Sequence, residues 1–128
     1  MLATAPHLSA VLEELQQREP IFHRKEFGTS RRDFENMTDD SFWEVGASGR
    51  RYSREFILDT LESRLRQGAV DAWEVQGLHC LEIAPANYLV TYTLLQGPRV
   101  TRRATVWRRS AGGWKILYHQ GTVVEAAP

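Results

Sequence analysis

Apolar residues recur along the first third of the chain at helical spacing and along the last half at strand spacing. Leu8, Val11, Leu12 and Leu15 stand three and four residues apart, with Glu13, Glu14, Gln16 and Gln17 between them. That is the pattern of a helix with one buried face. Pro20 lacks the N–H that a helix needs and ends or bends it. The stretch Ile21 to Gly28 carries Ile21, Phe22 and Phe27 and reads as irregular chain or a short helix that stops at Gly28. Ser30 with Asp33 three residues on marks a helix start, so a short helix is expected from Arg31 to about Met37, turning Phe34 and Met37 inward.

Ser41 to Gly46 reads as a strand, and Ala47-Ser48-Gly49 as the turn after it, leading into the basic segment Arg50-Arg51-Tyr52. Ser53 caps a second amphipathic helix, with Phe56, Ile57, Thr60, Leu61 and Leu65 on one face. Arg54, Glu55, Asp59, Glu62 and Arg66 take the other face, and Gly68 is the stop. From Asp71 onward the spacing becomes that of strands: Asp71 to Ala84, Tyr88 to Gln96, Arg99 to Ser110 and Trp114 to Val124. Pro85-Ala86-Asn87, Gly97-Pro98 and Ala111-Gly112-Gly113 are hairpin-length links, so these strands form a sequential antiparallel meander. The strands are about twice the usual length, and long twisted strands curl. The expected fold class is α+β: one domain over residues 1–128, ordered from about 8 to 124. A cone-shaped antiparallel sheet wraps around the N-terminal helices.

Two surfaces follow from that shape. The space between sheet and helices is a natural small-molecule cavity. The convex face has to meet solvent or a partner, and Leu78, Cys80, Leu117 and Val123 are candidates for an apolar patch there. A homodimer through the outer sheet face would cover it. Composition narrows the partners further. The formal net charge is +0, so neither nucleic acid nor an anionic membrane is expected, despite Arg99, Arg102, Arg103, Arg108 and Arg109 on one strand. Cys80 is the only cysteine, and Met1 to His7 lack a signal-peptide pattern, which points to a cytoplasmic protein. No run of residues reaches the length of an apolar membrane span.

Three pieces of the sequence occur together and in order: Asp40-Ser-Phe-Trp-Glu-Val-Gly-Ala-Ser-Gly49, then Tyr52-Ser-Arg-Glu-Phe-Ile57, then Thr105-Val-Trp107 with Trp114-Lys-Ile-Leu-Tyr-His-Gln-Gly-Thr122. With these the chain resembles the nuclear transport factor 2-like superfamily, and within it the SnoaL-like branch without an assigned function, over roughly residues 8 to 124. The resemblance implies a cone-shaped half-barrel, also called cystatin-like, and a dimer through the outer sheet face. It implies no single activity, because the superfamily includes isomerases, dehydratases, cyclases, hydrolases and proteins that only bind or assemble.

Candidate chemistry lies on the strands. Glu44 sits between Trp43 and Val45, where an aromatic pocket would raise its pKa toward a useful base. His119 or Tyr118 could supply the opposite donor, and Glu44 with His119 is the candidate acid–base pair. Strict alternation, however, places Trp114, Ile116, Tyr118, Gln120 and Thr122 on one face of the last strand and Lys115, Leu117, His119 and Val123 on the other. Because Lys115 should reach solvent, Tyr118, Gln120 and Thr122 are expected to line the cavity with Tyr92 and Trp107. His119 is then expected on the convex side unless a bulge at Gly121 reorients it, and Glu44 on the outer face beside an arginine such as Arg103 if Trp43 and Val45 are core. His7, His23, His79 and His119 are scattered with no paired ligand spacing, so neither a metal nor a cofactor is expected. The leading expectation is a domain that binds an unidentified small organic molecule. A cofactor-independent isomerase, dehydratase or hydrolase and a non-catalytic assembly module are the alternatives.

Overall fold

The computed structural model describes residues 3–67 and 72–125, with residues 65–67 as backbone alone. The Gly68 stop, the Asp71 strand start and the Leu65 and Arg66 side chains lie outside the described residues. Helix α1 (Ser9–Gln16) buries Val11 and Leu15, as its spacing requires. A turn of 3₁₀ helix (Lys25–Phe27) ends at Gly28, whose φ of 120° is open to glycine alone. Helix α2 (Arg31–Met37) begins with a reciprocal capping box. The Asp33 N–H donates to Ser30 Oγ and the Ser30 N–H to Asp33 Oδ2, each at 3.1 Å, so two otherwise orphaned donors are satisfied.

Strand β1 (Thr38–Val45) follows at once and starts three residues before the expected Ser41. A short strand β2 (Arg51–Ser53) then leads into α3 (Arg54–Gln67), where Ser53 Oγ accepts from the Phe56 N–H at 3.2 Å. Arg31 ties α2 to α3, its guanidinium reaching Glu55, Asp59 and Glu62 at 2.8, 2.7 and 2.9 Å. The meander is β3 (Glu74–Ala84), β4 (Asn87–Gln96), β5 (Arg99–Ser110) and β6 (Gly113–Val123). All six strands make one sheet in the order β2-β1-β6-β5-β4-β3. The fold is α+β with a curved sheet, as expected, but the sheet is mixed. β1 pairs with β6 in parallel, which the long stretch of chain between them, through β2, α3 and β3 to β5, permits.

The inner face packs Tyr88, Val90 and Leu94 of β4 and Trp107 of β5 against Val11 and Leu15 of α1 and Leu58 and Leu61 of α3. Trp114 and Ile116 of β6 complete this layer. Two bulges decide what else faces inward. On β6, Trp107 pairs with Ile116 but Val106 pairs with Tyr118, so Leu117 is an extra residue. Beyond it the strand's parity is reversed: His119 and Gly121 are buried on the inner side, and Gln120 and Thr122 are exposed. On β3, two residues, Gly77 and Leu78, separate Gln76 from His79 opposite only one, Tyr92, on β4, and Gly77 has φ 64°. The odd-numbered series Trp73 to Ile83 is therefore split. Val75, Leu78 and Cys80 pack inward, while Leu81 and Ile83 are exposed.

The outer face consequently carries a different apolar patch from the one expected. Leu78 and Cys80 belong to the core, and Leu117 sits at the bulge. In their place a row crosses five strands in register, Leu81–Leu89–Val106–Tyr118–Trp43. Its two ends, Leu81 and Trp43, are 48% and 43% exposed, and Trp43 leans on Tyr118 with ring centroids 4.7 Å apart.

Candidate functional site

The interior changes from apolar to polar along β5 and β6. Thr101, Arg103, Thr105 and Trp107 project inward from β5, and His119 and Gly121 from β6 beyond the bulge. Across from them, after α1, Glu19 is fully buried just before Pro20, in a cis peptide bond. Tyr92 Oη donates to Glu19 Oε1 at 2.7 Å, Trp107 Nε1 to Oε2 at 2.9 Å, and the Ile21 N–H to Oε1 at 3.1 Å. The Thr105 hydroxyl also lies within reach of this carboxyl. Burial pushes the Glu19 pKa up, and these donors pull against that shift by favouring the charged form. Burial and the Glu19 carboxyl together raise the Tyr92 phenol well above its ordinary range.

Next along the sheet, Thr105 Oγ1 lies 2.8 Å from His119 Nδ1, and Arg103 Nη1 lies 3.4 Å from His119 Nε2. Arg103 Nε donates to Thr101 Oγ1 at 2.9 Å. The guanidinium rests on Gly121, where a Cβ would stand 2.9 Å from Nη1 and 3.0 Å from Cζ. Glycine is what leaves room for it there. Burial pushes the His119 pKa down to about 3, and the neighbouring Arg103 charge adds to the effect, so the ring is neutral at pH 7. Burial also lowers the Arg103 pKa, against the opposing pull of Tyr92, Glu44 and Glu19, and among the described residues no carboxylate is in ion-pair contact with it.

Glu44 completes the group. It stands beside His119 on the parallel neighbour strand and shares its face, above buried Phe42. Both residues of the expected acid–base pair therefore face inward. The expectations that alternation put His119 on the convex side and Glu44 on the outer face are corrected by the Leu117 bulge and by exposed Trp43. The Glu44 carboxylate is half-buried and makes no hydrogen bond with a described residue. Burial raises its pKa, while the Arg103 and Arg64 charges act in the opposite direction. Tyr52, opposite Glu44 on β2, stacks on Phe56 at 4.9 Å and forms an aromatic wall beside it.

The five residues expected to line the cavity separate into two groups. Tyr92 and Trp107 face inward, but their polar atoms are engaged by Glu19. Tyr118, Gln120 and Thr122 lie on the outer face, shifted there by the bulge. Gln120 and Thr122, with Thr91, Thr93, Arg102 and Ala104, border a hollow of about 440 Å³ on that side. The interior beside Trp107 and Ile116 is nearly filled, with a void of about 10 Å³ against Phe22 and Met37. Such a void is on the order of one water molecule. Among the described residues no three His, Cys, Asp or Glu side chains come close enough to share a metal ion. No helix among them is long and apolar enough to cross a membrane.

Sequence reasoning missed Glu19 and the central place of Arg103. An acidic residue directly before Pro20 and ahead of Ile21-Phe22 was the available signal for the first. A glycine inside a strand, which often marks close approach by another group, was the signal for the second.

No protein-family model matches the sequence, and no curated protein matches it. Solved structures do. An uncharacterized protein with a cystatin-like fold from Caulobacter vibrioides superposes with a TM-score of 0.69 at 16% identity, over 94% of this chain and 92% of that one. A nuclear transport factor 2-like protein from Cytophaga hutchinsonii gives 0.69 at 15% identity, over 94% of this chain and 100% of the other. A proposed dehydratase from the same structural family, from Streptomyces avermitilis, gives 0.70 at 15% identity, over 91% and 98%. Backbone topology and these superpositions agree: the chain has the nuclear transport factor 2-like, or cystatin-like, fold.

Proposed function

We propose that the polar end of the cone binds a small organic carbonyl compound and supports proton transfer next to the carbonyl without a cofactor. The observation that carries this reading is Glu44: an inward-facing, half-buried carboxylate with a raised pKa and no hydrogen bond to a described residue, close to the Arg103 charge. A base of that kind can take a proton from the carbon next to a carbonyl. The C–H electron pair becomes the new C=C bond of an enolate, and the carbonyl π pair moves onto the oxygen. As Glu44 becomes neutral, the negative charge appears on that oxygen, and Arg103 can balance either location. The charge of the site is thus conserved along the step, which is the condition for electrostatic stabilisation without reorganisation. Neutral His119 holds the guanidinium from the side, and Tyr52 offers a flat apolar wall. Membership of the SnoaL-like branch is part of the same proposal. So is a cytoplasmic setting, which suits the buried free thiol of Cys80, with its pKa raised by burial.

The test is NMR titration with a panel of small enolisable ketones and keto acids in deuterated water. Amide shifts should cluster around Glu44, Arg103 and His119, and a bound compound should exchange its α-protons for deuterium. Exchange that continues unchanged in Glu44→Gln, or shifts confined to the outer face, would refute it.

A second reading concerns the outer face. The in-register row Leu81–Leu89–Val106–Tyr118–Trp43 favours a homodimer there, because a stripe of that length across five strands is unusual on a monomer's surface. Sedimentation should give twice the chain mass of 14.7 kDa, and Leu89→Asp should reduce it to one chain. A wild-type monomer at micromolar concentration would rule this out.

A further inference from the structure

Arg103 is firmly held but incompletely paired. A guanidinium carries five N–H groups in one plane and accepts nothing. Its Nε–H donates to the hydroxyl of fully buried Thr101 at 2.9 Å, and Nη1 lies 3.4 Å from Nε2 of buried His119. The group rests on Gly121, so its place on the inner face is fixed from below. That engages two of the five N–H groups. The other three, one on Nη1 and two on Nη2, have no hydrogen bond with a described residue. Nor does a carboxylate among the described residues answer the charge. The Glu19 oxygens are already taken, one by Tyr92 and the Ile21 N–H, the other by Trp107. Glu44 shares the inner face from β1, with β6 between the two strands, and forms no ion pair with Arg103.

A part-buried cation without a counter-ion is costly, and a carboxylate matches the planar fork with two parallel bonds. Arg103 and Glu44 are both only half-buried, so a small solute reaches them. The nearby basic charge has the sign that an anion needs: exposed Arg99 acts on Arg103, and exposed Arg64 acts on Glu44. From this arrangement we infer that the ligand of the cone carries a carboxylate gripped by Arg103, and that, with the carbonyl of the proposed reaction, its class is a 2-oxo acid. In such a compound a carboxylate oxygen and the carbonyl oxygen sit on neighbouring carbons and can lie in one plane. The free Nη1–H and Nη2–H edge then meets both oxygens, which leaves Glu44 for the neighbouring C–H. The 2-oxo part of the assignment rests on the proton-transfer reading; the grip on a carboxylate does not.

The test titrates the full chain by NMR with probes of matched size: 2-oxobutyrate, butyrate and 2-butanone. Both acids should bind, with shifts centred on Arg103 and its side-chain N–H signals. The neutral ketone should bind more weakly by about tenfold or more. Arg103→Gln should lose the preference for the acids, and Arg103→Lys, which keeps the charge but not the fork, should recover it only in part. Glu44→Gln should bind the acids at least as well, since a like charge is gone, while exchange of the 2-oxobutyrate α-protons stops. Equal binding of ketone and acid by the wild type would overturn the inference and leave proton transfer by Glu44 standing. Acid binding that depends on Arg103, with no α-proton exchange, would uphold the carboxylate grip and defeat the proposed reaction. Failure of both acids to bind, or displacement of both by inorganic phosphate at equal concentration, would overturn the inference. If Arg103→Gln does not fold, the wild-type comparison of acid with ketone and the Arg103→Lys variant decide the matter.

Discussion

Lowering the pH should destabilise this protein through His119 before its carboxylates matter. The ring is 2% exposed and its native pKa lies near 3, against an ordinary value of 6.5. The native pKa is depressed, so the unfolded chain takes up a proton that the native state refuses between those two values. Stability is complete above about pH 6.5 and falls as pH drops toward 3. Each unit of separation is worth about 1.4 kcal/mol, so lowering the pH from 8 to 5 removes about 2 kcal/mol. The full interval would remove about 5 kcal/mol, a large share of the 5–15 kcal/mol of a typical domain. Glu19 and Glu44 have raised native pKa values and work in the opposite sense, gaining protons more readily when folded. The measurement is therefore a difference. Urea unfolding midpoints at pH 8, 7, 6 and 5 are compared for the wild type and His119→Asn. The wild type should lose about 2 kcal/mol more than the variant over that range. Parallel curves for the two proteins would mean that the ring titrates normally in the native state, and the burial argument would fail.

The same side chains make further outcomes measurable. Gly121→Ala sets a Cβ against the Arg103 guanidinium and should cost about 1–3 kcal/mol; in an Arg103→Ala background the cost should largely disappear, which a double-mutant cycle by urea denaturation reads. Trp107→Phe deletes the donor to Glu19 Oε2 without opening a large cavity. It should lower stability by about 1–3 kcal/mol, with a smaller loss in Glu19→Gln, again by denaturation. Glu44→Gln removes a partly desolvated charge and should leave thermal stability at pH 8 equal or higher while abolishing the exchange activity proposed above; a drop in melting temperature would show that the carboxylate is structural. Leu89→Asp should convert the proposed dimer to a monomer with an unchanged circular dichroism spectrum.

What could be read from the chain was whatever is determined locally. The capping box at Ser30 and Asp33 and the cap at Ser53 involve residues three apart, and the structure has both. Hairpin-length links likewise dictate the meander of β3 to β6. Where long-range pairing decides, reading by alternation fails. The parallel contact of β1 with β6 joins residues more than seventy positions apart, as do the bonds from Tyr92 and Trp107 to Glu19. Gly77 gave some warning of the bulge on β3, since glycine weakens a strand and often marks such a site. Leu117 gave none: it is an apolar residue among apolar residues, and only the spacing of β5 against β6 reveals it as extra. The site residues were therefore recognisable by type but not by direction. His119 was noticed and placed on the wrong side, and Gln120 and Thr122 were assigned the interior that His119 and Gly121 occupy.

The extra residue on β6 is also one that the interior could lose. Most substitutions at Leu117 would leave the count intact and the histidine where it is. Removing that one residue would close the bulge: Tyr118 would follow Ile116 directly, keep its place opposite Val106, and leave His119 opposite Thr105 and beside Glu44. In a lineage, one lost codon at this point would therefore straighten the strand without altering any side chain of the interior.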